Sequence, residues 1–157
     1  MDSRLLSYGK LEIPEALTLE HEELQARLNR VAARPGRVGQ AAKGVARLCR
    51  AHFAKEEVNI FRAFGLLHAL ASDRVRPEMA AEAQVVVEFS AQQNGSGDHH
   101  RLINAALEKL LQEARDHKDN EIIELAARLR DHEKIEDEVT YPAVLLIARS
   151  VQESAAN

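Results

Sequence analysis

The sequence predicts an all-α protein, an up-down-up-down antiparallel bundle of four helices, and three observations carry that prediction. Hydrophobic residues make up 45% of the chain and charged residues 29%, with only 4% aromatics, seven glycines and four prolines. That balance suits helices better than a β-sandwich or barrel. Apolar residues recur at spacings of three, four and seven along several long segments, the period of an amphipathic helix. The breaks between those segments are short, which makes successive helices antiparallel neighbours. At 157 residues the chain is the size of one domain and can bury a core without disulfides.

The elements follow in order. Residues 1–13 read as a loose N-terminal segment, and the bundle as residues 14–151. Pro14 sits where a helix tolerates proline, and Leu17, Leu24, Leu28 and Val31 carry a first helix to about Ala33. Arg34-Pro35-Gly36 breaks it. Val38, Val45, Leu48, Phe53, Ile60 and Phe64 then carry a second helix ending near Leu67. Pro77 opens a third, which Asn94-Gly95-Ser96-Gly97 kinks or interrupts before Ile103, Leu107, Leu110 and Leu111 resume the pattern. Asp116 to Asn120 forms the last turn. Ile122 to about Val151 forms the fourth helix, in which Pro142 must disturb one turn, and 152–157 is a C-terminal tail.

Net charge is −4, with Lys and Arg dispersed among acids, so no basic stripe is present to neutralise phosphates and nucleic acid is not an expected partner. The single cysteine, Cys49, has no internal disulfide partner and favours a reducing, cytoplasmic compartment; its place in the pattern reads as a small core residue. Met1 to Pro14 lacks an apolar stretch after a basic start, and no later run approaches the roughly 20 apolar residues of a span. A soluble, unprocessed monomer or homodimer, without a membrane partner, is the expectation.

The informative residues are two copies of one spacing: His52 with Glu56, and His132 with Glu136, each a histidine followed four residues later by a glutamate. Such a pair lies on one helix face, about one turn apart, so imidazole and carboxylate can reach a common metal. His21 precedes His52 by 31 residues across the Pro35-Gly36 turn, and His100 precedes His132 by 32 across the Asp116 to Asn120 turn. With a rise of about 1.5 Å per residue on both arms, each hairpin brings its histidines to one level. Any one of these histidines taken alone is an ordinary solvated or hydrogen-bonded side chain. Burying the whole set without a partner would cost several kcal/mol, and a metal resolves that cost. Six ligands are too many for one tetrahedral zinc; two metals bridged by Glu56 and Glu136 fit the count, with iron first and zinc or manganese as alternatives. His100 is chosen over its neighbour His99 on helix phase: Ile103, Leu107 and Leu110 follow it as Leu24, Leu28 and Val31 follow His21.

His21, the run His52-Phe53-Ala54-Lys55-Glu56-Glu57, the pair His99-His100, and His132 with Glu136 and Tyr141-Pro142 together resemble the hemerythrin-like HHE cation-binding family, from about Leu17 to Leu146. The resemblance implies two iron ions, oxo- or hydroxo-bridged, inside the bundle. His21, His52, His132 and one of His99 and His100 become terminal ligands, and Glu56 and Glu136 bridge. Members bind oxygen, handle nitric oxide or peroxide, or respond to iron and redox stress, so the implied partner is a small diatomic ligand or peroxide. Oxygen-carrying members place a further histidine four residues along the third helix, where this chain has Asn104, and use an aspartate where Asp137 stands. Glu136 is ranked above Asp137 because Glu56 occupies the matching place.

Two alternatives stand beside a di-iron binding or stress protein: an enzyme detoxifying peroxide or nitric oxide, distinguished by multiple turnovers, and a metal-stapled interaction module. A ferritin-like oxidase wants Glu-x-x-His, and no histidine here has glutamate three residues before it. A zincin wants His-Glu-x-x-His, and the His-Glu pairs at His21 and His132 continue to Gln25 and Glu136. Tyr141 reads as packing, with a phenol able to donate a hydrogen bond near iron; His68 and His117 read as solvated, and Glu57 and Glu138 as surface charges.

Overall fold

The computed structural model describes residues 12–93, 97–115 and 119–156. Most of the N-terminal segment, 94–96 of the expected kink, and 116–118 of the last turn with His117 lie outside the described residues. Among the described residues there is no strand, and the helices pack into a bundle.

Helix α1 spans Glu15–Ala32 behind Pro14 and buries His21, Leu24, Leu28 and Val31, one stripe at helical spacing. Helix α2, Gly36–Asn59, starts at once after the Arg34-Pro35 turn. Gly36 has φ +78°, and a Cβ on Gly39 would lie 1.8 Å from the Arg34 carbonyl oxygen, so both positions need glycine. Arg34 donates to the carboxylates of Asp119 and Glu121, which ties this turn to the start of α6, Asn120–Ile135. Asp119 caps α6 by accepting from the Ile122 N–H at 3.4 Å.

The spacing predicts one helix to Leu67, whereas α2 stops at Asn59 and the chain tightens into a 3-10 helix, Phe61–Leu66, before a short α3, Leu67–Ala71. Ile60, Ala63 and Leu66 are all buried. Side chains three apart eclipse in a 3-10 helix, so this geometry lines them on one face. Helix α4 covers Met79–Gln93 and α5 covers Gly97–Ala114.

Pro142 disturbs the last helix as expected, and the form of the disturbance is specific. Five residues, Glu136–Thr140, are π-helical between α6 and α7, Tyr141–Ala156. The Tyr141 N–H reaches back to the Glu136 carbonyl, and the wider turn accommodates the proline ring and its missing donor. Helix α7 continues past Val151 to Ala156, because nothing in Gln152-Glu153-Ser154-Ala155 breaks a helix.

Helices α1, α2, α5 and α6 form a closed ring of neighbours, and α7 packs on α4, α3 and the 3-10 helix. The interior holds two apolar clusters. One gathers Leu24, Leu28, Val45, Phe53, Leu107, Leu110, Leu125 and Leu129 with their neighbours. The other gathers Ile60, Phe61, Leu66, Val86, Val144, Ile147 and Val151 with theirs. Along the chain the buried histidines and glutamates fall between the two.

Candidate metal centre

Five elements deliver the polar layer: α1 brings His21, α2 brings His52 and Glu56, α5 brings His100, α6 brings His132, and the π segment opens with Glu136. All six side chains are buried, none more than 6% exposed. The structure thus gathers the six residues that the sequence singles out. His99 is half-buried outside them, its ring 5.8 Å from that of His52.

The two carboxylates divide the layer. Glu56 Oε2 lies 3.5 Å from His21 Nε2, and Glu136 Oε1 lies 3.7 Å from His21 Nε2 and 2.7 Å from His132 Nε2. On the other side, Glu56 Oε1 lies 3.5 Å from His52 Nε2, while Glu136 Oε2 lies 3.4 Å from His52 Nε2 and 3.1 Å from His100 Nε2. Each glutamate therefore offers one oxygen to each of two sets: His21 and His132 with both carboxylates, and His52 and His100 with both carboxylates. The donor atoms of each set lie within 4.8 Å of one another, and each set could hold a metal ion.

An outer ring of carboxylates orients the imidazoles. His21 Nδ1 is 2.9 Å from Glu57 Oε1, His100 Nδ1 is 3.2 Å from Asp137 Oδ1, and His132 Nδ1 is 3.4 Å from Glu20 Oε2. A carboxylate accepts, so Nδ1 donates in each pair and Nε2 presents its lone pair to the centre. This is the carboxylate-histidine arrangement that fixes tautomer and orientation in metal sites. Glu57 is therefore no mere surface charge, and Asp137 is an outer partner of His100 whose carboxylate is half-exposed. The His21 ring is further held between Phe53, at 4.1 Å between ring centres, and Phe61, at 5.1 Å. Tyr141 donates its hydroxyl to Glu56, the hydrogen bond foreseen as the alternative to simple packing.

The inner atoms fit a metal better than they fit one another. His21 Nε2, His132 Nε2, Glu56 Oε2 and Glu136 Oε1 are buried close to one another without forming a well-aligned hydrogen bond among the described residues, and they are the four donors of the first set. Without a cation the layer is electrostatically divided. Burial, then the charge of Glu136, pushes the Glu56 carboxyl up to about 10. Burial acts the same way on Glu136, but the surrounding imidazoles of His100, His132, His21 and His52 outweigh it and hold that carboxyl well below the usual range. Burial lowers His52. For His100 and His132 burial also acts downward, but Glu136 overcomes it and both are raised.

The sequence reading missed Glu133. It is buried, accepts from Asn104, and has its carboxyl raised by burial. Its only signal was adjacency to His132, which an acid-rich chain makes weak. His68 is exposed on α3 and Glu138 is exposed, both apart from the centre.

Cys49 lies one turn before His52 and is 1% exposed. Burial, then Glu133 and Glu136, pushes its thiol up to about 12. At pH 8 about one molecule in ten thousand carries the thiolate. Iodoacetamide should therefore modify the native protein at least about a hundredfold more slowly than the unfolded chain. Mass spectrometry of timed samples measures this, and equal rates would contradict the burial.

Comparison with protein-family models, curated proteins and solved structures returns no match, so the site is interpreted from its own geometry.

Proposed function

We propose that the chain is a non-haem di-iron protein of the hemerythrin-like type, which binds or responds to oxygen, nitric oxide, peroxide or iron status in the cytoplasm. One observation carries the reading: Glu56 and Glu136 are shared by two donor sets, one completed by His21 and His132 and the other by His52 and His100, with Glu56 turning one oxygen to His21 and the other to His52. Two bridging carboxylates with two imidazoles on each side suit a pair of like cations, and mixed nitrogen and oxygen donors suit iron. In this reading α1, α2, the pair α4 and α5, and the run from α6 through α7 are the four rods of an up-down-up-down bundle.

An iron pair held by these residues would supply one-electron redox chemistry and Lewis acidity towards a small ligand. The chain's own residues do the rest. Glu20, Glu57 and Asp137 hold three imidazoles in the ligating tautomer, Tyr141 fixes Glu56, and Phe53 and Phe61 keep bulk water from His21.

Protein purified from iron-supplied cells should contain about two irons per chain and show near-ultraviolet charge-transfer absorbance. Metal analysis with an optical spectrum tests this. One zinc per chain, or no metal after iron loading, would sink the di-iron reading.

A further inference from the structure

The six inner residues are sealed, yet any cation must reach them from solvent. A surface groove of about 360 Å³ between α1 and α2 touches the layer, lined by His21, Gln25, Ala26, Phe53, Ala54 and Glu57 among others. Its floor is the His21 and Phe53 rings. Its width comes from two alanines, Ala26 and Ala54, both exposed where longer side chains would fill the space. Glu22 and Glu57 place two carboxylates on its walls against one cation, Arg50, whose guanidinium donates to Asn29.

Glu57 is the link between outside and inside. Its side chain is 34% exposed, while one oxygen accepts from Nδ1 of a histidine that is itself 2% exposed. Glu20 and Asp137 contact their imidazoles in the same manner, but neither lines this cavity.

We propose that this groove is the route by which a divalent cation reaches the centre, taken first by the acidic wall and passed inward past His21. The proposal rests on the metal-binding reading above and adds where the ion passes. Acidic walls raise the local cation concentration, and a narrow passage over a packed ring sets the rate without setting the final occupancy.

The test uses the metal-free chain of 157 residues and cobalt(II), whose visible absorbance reports uptake directly. Ala26→Leu and Ala54→Leu narrow the groove from opposite walls at exposed helical positions that accept leucine. Ala127→Leu makes the same change at an exposed position on α6, outside the groove. Both groove variants should take up cobalt about tenfold more slowly than the parent, reach the same final stoichiometry, and keep the parent's circular dichroism, while Ala127→Leu stays at the parent rate. Either groove variant suffices if the other fails to fold. Parent rates in both, or equal slowing in Ala127→Leu, overturn the route while leaving the centre intact. Failure of the parent itself to bind cobalt overturns the route and the metal-binding reading together.

Discussion

Replacing His52 or His132 by alanine should reduce bound metal from about two ions per chain to less than one, whereas His68→Ala should keep the parent content. Each of the first two histidines supplies one of only two imidazoles in its donor set. The loss cannot stay within one set, because Glu56 and Glu136 serve both. Removing an ion leaves each carboxylate with one oxygen unmatched and weakens its hold on the remaining ion. His68 is solvent-facing on α3 and touches neither set. Metal analysis of the three variants, purified side by side from iron-supplied cells, gives the answer. Equal metal in all three would refute the ligand assignment.

Chelation should leave the chain helical but lower its melting temperature by roughly 10–15 °C at saturating metal, as about 4 kcal/mol of linkage implies for a domain of this size. The helices persist because both apolar clusters are independent of the metal, unlike the core of a zinc finger. The difference should widen with pH, and the sign follows from the buried acid. The Glu56 carboxyl of the metal-free chain is raised from 4.5 to about 10, so its stabilising contribution is complete below pH 4.5 and is lost as pH rises towards 10. His100 and His132, raised by Glu136 against burial, act in the same direction above the ordinary imidazole value. His52, lowered by burial, opposes them, and Glu136, held low, matters only below 4.5. Metal binding needs the same groups deprotonated, so the loaded form is favoured in the direction in which the empty form weakens. Melting curves of chelated and loaded protein between about pH 5 and pH 9 measure the gap. Coincident curves would mean that the six residues do not bind metal as a buried layer.

The six inner residues were legible because a helix has a fixed period and a short turn fixes register. His-x3-Glu twice, with partners 31 and 32 residues upstream, places the imidazoles at one level without any knowledge of tertiary detail. Helix phase also separated His100 from His99. The outer ring was not legible. Glu20, Glu57 and Asp137 each adjoin an inner residue in sequence, about 100° around the helix, and which of them meets an imidazole depends on how neighbouring helices rotate against one another. In a chain with 25 acids, adjacency alone selects nothing. Pro142 announced a disturbance, yet proline alone does not say whether the turn kinks or widens. The 3-10 stretch was hidden because Ile60 and Phe64, four apart, also fit an α-helical stripe.

The polar layer cuts the hydrophobic interior in two. On α1, Leu17 before His21 packs on one cluster and Leu24, Leu28 and Val31 after it belong to the other, and the same division falls at His52 to Glu56 and at His132 to Glu136. Two apolar compartments separated by a layer of charged and hydrogen-bonding groups need not open as one cooperative unit. In amide-exchange terms, the half built on α7 and α4 can loosen while the half built on the α1, α2, α5 and α6 ring stays closed. An ion pair bound across the layer is then a rivet between two folding units, coupling the breathing of one end of the molecule to that of the other.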